Sequence, residues 1–187
     1  MALTKRQRTL VREIGEIAEL FGLDYHNMEE YEPDARTPRL EATKRTLVRG
    51  QVVLFYTLVD ELLSMEMCRY FFGRRRSFPQ LWRTKRFQRF NHHIIEELNL
   101  MQKLRLVKAI RRLPKAVTAD IERLNALRNG LAHAFFPENL KKVKPEWKGK
   151  SVFSVDGATA LQDDCQKIFD FFLGISLGPG RGRTDAS

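Results

Sequence analysis

From Glu41 to about Phe72 the chain carries Leu47, Val48, Val52, Phe55, Tyr56, Val59, Leu62 and Leu63 at helical spacing. A helix this densely apolar belongs at the centre of a core or in an interface between subunits, so the rest of the chain has to be organised to cover it. At 187 residues, 43% of them hydrophobic, the chain fits one domain with a sizeable core and is too short for a second full one. Within the long helix Thr57, Asp60, Glu61 and Ser64 recur at i, i+3, i+4 and i+7. This polar stripe either faces solvent or places an acid where it pairs with Arg128 or orients His133, because a charge beside a buried face needs a partner.

Other helices follow from the same period. Leu10, Ile14, Ile17, Ala18 and Phe21 predict a first helix over 4–21, stopped by Gly22. Residues 23–40, with Pro33, Pro38 and several acids, read as an irregular acidic connection that shields a basic cleft or is simply solvated. A third long helix is expected from about Arg83 to Leu113, on Phe87, Phe90, Ile94, Leu98, Met101, Leu104 and Ile110, with Pro114 closing it. A final helix over 158–173 buries Leu161, Cys165, Ile168, Phe169 and Phe172. Before it, 138–150 reads as a loop and 150–155 as a short extended segment that turns at Asp156-Gly157. Residues 1–175 therefore form one all-α domain of about five helices, and 176–187 a disordered basic tail.

The stretch from Leu124 to Pro137 reads LNALRNGLAHAFFP. Leu124, Leu127 and Leu131 form a buried seam, while Asn129 and His133 sit four apart on another face with Arg128 beside them. Thr118 is the expected cap of this helix, and Pro137 ends it near His133, beside carbonyls that favour a protonated imidazole. A guanidinium next to an imidazole that titrates near neutrality suits phosphodiester chemistry, one group binding phosphate and the other moving protons. The structural alternative is that Arg128 and Asn129 bond to neighbouring helices and His133 caps a terminus.

The run Leu127-Arg128-Asn129-Gly130-Leu131-Ala132-His133 resembles the R-N-x-x-x-H motif of the HEPN superfamily. Its position after two long helical stretches and before a final helix is similar as well. The resemblance implies a HEPN-like helical bundle that dimerises with two motifs at a shared cleft, and a metal-independent endoribonuclease, often a toxin or defence protein with a neutralising or regulatory protein partner. Some members of that superfamily keep the fold without the activity. On the catalytic reading His133 is the general base on a ribose 2′-hydroxyl, Arg128 stabilises phosphate charge and Asn129 positions His133 or the phosphate. The product would end in a cyclic phosphate.

The net charge of +10 is concentrated in one region. Between Arg69 and Lys115 there are 14 Lys or Arg against Glu96 and Glu97, a balance of +12, and the remainder sums to −2. Within it, Arg69 to Phe90 interleaves eight cations with Tyr70, Phe71, Phe72, Phe78, Trp82, Phe87 and Phe90 and contains no acid. Cations among rings suit single-stranded RNA, with arginines on phosphates and rings on unpaired bases, although Phe87 and Phe90 read as core. Gly73 and Pro79 put Arg74, Arg75 and Arg76 on an exposed turn. The expected nucleic-acid contacts are these three with Arg83, Lys85, Arg86, Lys108, Arg111 and Arg112.

The other patterns exclude more than they suggest. The charged start and the short apolar runs point to a cytoplasmic protein without a membrane span. Cys68 and Cys165 read as buried or half-buried free thiols. Adjacent His92 and His93 point about 100° apart on a helix and do not chelate one ion together. No phosphate loop, dinucleotide-binding glycine pattern or zinc motif occurs, so no nucleotide or metal cofactor is expected. The competing functions are a noncatalytic HEPN-like regulator or adaptor and, third, a helical DNA-binding regulator, for which there is no clear helix-turn-helix unit.

Overall fold

The computed structural model describes residue 5 and residues 32–73, 78–132 and 144–174. Apart from helical Lys5, the expected first helix lies outside these residues, as do the connection up to Tyr31, Arg74, Arg75, Arg76, His133, residues 138–143 and the tail. The chain divides into two compact units, 1–51 and 52–187. The described part is mostly helical: α1 Pro33–Phe72, α2 Phe78–Trp82, α3 Lys85–Phe90, a π-helical turn Asn91–Ile95, α4 Leu100–Ile110, α5 Lys115–Ala132 and α6 Val155–Leu173. A hairpin of β1 Glu146–Trp147 and β2 Lys150–Ser151 precedes α6.

Three expected boundaries are corrected. The long apolar helix begins at Pro33 rather than Glu41, with Pro38 inside it. Proline at a first helical position lacks only an N–H that has no helical acceptor there, so Pro33 starts the helix. The expected helix over 83–113 is two helices. Asn99 accepts a hydrogen bond from the Gln102 N–H at 3.0 Å while the Gln102 side chain accepts from the Asn99 N–H at 2.9 Å, a capping box that opens α4. Thr118 is not a cap. Its N–H donates to the Pro114 carbonyl at 3.1 Å, so the helix has already begun at Lys115.

In the unit from Val52 onward, α1 buries Val52, Phe55, Val59, Leu62, Leu63 and Met67, and α5 buries Ile121, Leu124, Leu127 and Leu131, the expected seam. α4 adds Leu100, Leu104 and Val107, and α6 adds Leu161, Cys165, Ile168 and Phe172. Phe169 is half-buried and packs its ring 6.0 Å from that of Phe55. In the preceding unit Leu47 is exposed, although its spacing placed it in the apolar set.

The expected loop at 138–150 contains the first strand of the hairpin, whose register pairs Glu146 with Ser151 and Trp147 with Lys150. Lys148 and Gly149 both take positive φ, 50° and 82°, as the two central residues of a type I′ turn require. Lysine is an unusual occupant of that conformation. Here its ammonium reaches the Asp164 carboxylate at 2.5 Å and Asp120 at 3.3 Å. Asp164 also accepts from the indole N–H of fully buried Trp147 at 2.9 Å and from Lys167 at 2.9 Å. Burial alone would raise the Asp164 pKa, but the bonds from Lys148, Trp147 and Lys167 outweigh it and hold the carboxyl at about 2.

α6 starts at Val155, three residues earlier than expected, because Ser154 caps it by accepting from the Gly157 N–H at 3.2 Å. Gly157 therefore lies in the first helical turn instead of marking a turn before the helix. A Cβ there would stand 1.9 Å from the Ser151 carbonyl oxygen, so only glycine lets the helix and hairpin approach this closely.

Gly157→Ala is accordingly expected to cost at least about 1–3 kcal/mol, seen as a Tm lowered by several degrees. Asp164 has a folded pKa below its ordinary value of 3.8, so its contribution is fully present above about pH 4 and is lost as pH falls toward 2. Urea unfolding across that window is expected to show the stability gap between wild type and Asp164→Asn closing as pH falls, and a constant gap would refute the assignment.

Candidate functional site

The final turns of α5 carry Arg128 and Asn129, both half-buried, and His133 follows directly after the helix's last described residue. Adjacent helical side chains diverge by about 100°, yet the Arg128 stem bends back so that its Nη1 donates to Asn129 Oδ1 at 3.1 Å. The same guanidinium stacks on Tyr56 of α1, with Cζ 5.0 Å from the ring centroid. The contact fixes the fork against an aromatic face and leaves further N–H groups for an anion.

Tyr56 lines a cleft of about 500 Å³ that is bounded also by Asp60, Glu61, Trp82, Glu96 and Lys103. The polar stripe of α1 divides here. The Thr57 hydroxyl donates to the Val53 carbonyl at 3.0 Å on the exposed side, and the Ser64 hydroxyl donates to the Asp60 carbonyl at 2.8 Å on the buried side. Asp60, between them, pairs with Lys103 of α4 at 2.5 Å. Of the two acids weighed as partners for Arg128, Asp60 is thus engaged by a lysine and Glu61 lies exposed in the cleft. With three carboxylates and one already paired ammonium, this cleft repels phosphate and favours hydrogen-bond donors or cations.

The π-helical turn supplies the far wall. Its Glu96 N–H donates to the Asn91 carbonyl at 2.9 Å, and the Asn91 side-chain amide donates to Glu96 Oε1 at 2.6 Å. His92 Nδ1 lies 3.0 Å from the same carboxylate, and both His92 and His93 are exposed. No group of three or more His, Cys, Asp or Glu that could hold a metal occurs among the described residues.

The expected nucleic-acid contacts fall into two sets. Arg83, Lys85 and Arg86 are exposed around the start of α3, with Arg86 Cζ 5.6 Å from the Phe72 ring centroid. Lys108 and Arg112 are exposed at the end of α4. Arg111 instead turns inward, its Nη1 2.7 Å from the buried Glu66 carboxylate and its Cζ 4.6 Å from the Phe171 ring centroid. Both thiols are buried. Burial, reinforced by Glu61, raises Cys68 to about 11, and burial with the Asp164 and Asp120 charges raises Cys165 to about 12, which leaves neither a nucleophile near neutrality.

Tyr56 and Lys103 complete the cleft without having been singled out from the sequence, and Trp82, expected among the rings of the basic segment, lines it as well. Tyr56 sat within an apolar run, and Lys103 lies 43 residues from the aspartate it neutralises. No helix among the described residues is long and apolar enough to cross a membrane.

The pair Asp60–Lys103 is asymmetric, since the lysine side chain is 6% exposed and the aspartate 24%. Asp60→Asn strands a buried ammonium, and a loss of about 3–5 kcal/mol is expected. Lys103→Met leaves a carboxylate that water can reach, so chemical denaturation should show the smaller loss for this variant. Comparison with protein-family models, with curated proteins and with solved structures gives no match.

Proposed function

We propose that the chain is a HEPN-type endoribonuclease that cleaves single-stranded RNA without a metal, with Arg128, Asn129 and His133 as its site. The observation that supports this reading is the coupling of adjacent Arg128 and Asn129 side chains at 3.1 Å, immediately before His133 in the chain. In the proposed reaction His133 takes the proton of a ribose 2′-hydroxyl, whose oxygen attacks the adjacent phosphorus. The P–O5′ bond breaks and the leaving oxygen is protonated, giving a 2′,3′-cyclic phosphate and a 5′-hydroxyl. Arg128 stabilises the charge gathering on the phosphoryl oxygens, and Asn129 holds the guanidinium in register. In a homodimer a second His133 would supply the acid, and the two imidazoles would titrate as a coupled pair. A toxin or defence role in the cytoplasm, held in check by a protein partner, belongs to the same proposal.

A noncatalytic HEPN-like regulator is the second reading. It is favoured by the engagement of Arg128 with Tyr56 and Asn129, contacts that also serve a structural role.

Incubation of a mixed single-stranded RNA ladder in EDTA, with product ends identified, separates the two. The expected outcome is cleavage to cyclic phosphate ends by wild type, reduced at least about 100-fold in His133→Ala and Arg128→Ala proteins whose Tm is retained. Cleavage retained in both variants would remove the site assignment. Failure of wild type to cleave, with RNA binding intact, would leave the regulator.

A further inference from the structure

A second depression lies on the opposite side of the π-helical turn from the acidic cleft. It measures about 340 Å³ and is lined by Phe71 and Phe72 at the end of α1, by Arg86, Arg89 and Phe90 of α3, and by the turn residues His93 and Ile94. Among the described residues no carboxylate lines it. Phe71 is 53% exposed although its ring is braced edge-on by Tyr70 at 5.1 Å and lies tilted against Phe90 at 5.3 Å. Phe90 is braced in turn by Phe72 at 5.1 Å. Arg86 and Arg89 are three residues apart on α3 and both exposed, so their guanidinium groups share one side of the groove.

We infer that this groove seats an unpaired base of single-stranded RNA, with Phe71 as the stacking platform and Arg86 and Arg89 on the flanking phosphates. An exposed aromatic ring braced by other rings, whose charged neighbours in the groove among the described residues are Arg86 and Arg89, is complementary to a flat, uncharged base joined to anions. The space admits a base with its ribose. Taking RNA as the polymer rests on the ribonuclease reading, while the groove itself uses none of Arg128, Asn129 and His133.

The test is fluorescence anisotropy of a short labelled single-stranded RNA, and of the same RNA with abasic riboses, on His133→Ala protein so that the probe is not consumed. Phe71→Ala is expected to weaken binding of the intact RNA at least about fivefold, Phe71→Trp to restore it, and the loss to vanish with the abasic probe. Arg86→Gln with Arg89→Gln is expected to weaken both probes and to reduce the slope of log affinity against log salt by about 1.4. Unchanged affinity and slope in all these variants, at retained Tm, would overturn the groove even if wild type cleaves RNA through His133. Groove-dependent binding by a chain that does not cleave would uphold the groove and overturn the ribonuclease reading. Absence of RNA binding, or equal loss of an acidic peptide and of RNA in the Phe71→Ala chain, would overturn the groove.

Discussion

Glu66 is the charge around which the helices have to be arranged. It lies on the buried face of α1 between Leu63 and Met67, 4% exposed, and a carboxylate in that position is tolerated only with cations brought to it. Arg69, one turn along, donates at 2.9 Å, and Arg111 reaches the other oxygen at 2.7 Å. To do so Arg111 leaves helical geometry, with φ −151° and ψ 149°, which ends α4 and directs the chain through Pro114 into α5. Its guanidinium then covers Phe171 of α6. One buried carboxylate thus joins α1, the end of α4 and α6, and engages half-buried Arg111, a cation that sequence alone assigns to nucleic acid.

The legible parts of the fold are those written as repeated apolar spacing. Leu124, Leu127 and Leu131 are buried as their period requires, and Val52, Phe55, Val59, Leu62 and Leu63 form the inner face of α1. The period is silent about interruptions. Ile94, Leu98 and Met101 continue the helical rhythm across residues 96–99, where the chain makes a turn and restarts on the Asn99–Gln102 capping box. The expected extended segment at 150–155 contains β2, whereas β1 at Glu146–Trp147 is too short to display alternation and is visible only through its consequences. A buried indole needs an acceptor, and Asp164 supplies it from 17 residues away.

At the candidate site the adjacency of Arg128 and Asn129 is readable directly, whereas the surfaces that receive them are not. Nothing in the spacing of α1 distinguishes Tyr56, which carries the Arg128 guanidinium, from its buried neighbours. Nor does it show that Asp60 turns to Lys103. Charge density behaves similarly. The basic segment is plain from composition, but the structure divides its members, placing Arg111 against buried Glu66 and Lys103 against half-buried Asp60 and leaving Arg83, Lys85, Arg86, Arg89, Lys108 and Arg112 exposed.

The π-helical turn gives that division a geometry. In a regular α-helix the N–H of Glu96 would meet the carbonyl of His92; here it meets that of Asn91, one residue further back. The wider turn brings Glu96 over Asn91, where the amide and carboxylate join at 2.6 Å, and both line the acidic cleft with Ile95. Phe90, His93 and Ile94 line the cationic groove instead. Fields of opposite sign therefore meet at a single turn of helix. A polyanion near this turn is repelled on one side and held on the other, so on the proposed reading RNA would approach along α3. Its bases would meet Phe71, and the phosphate to be cleaved would reach Arg128 over Tyr56 at the edge of the acidic cleft, where the guanidinium offsets the field of Asp60, Glu61 and Glu96.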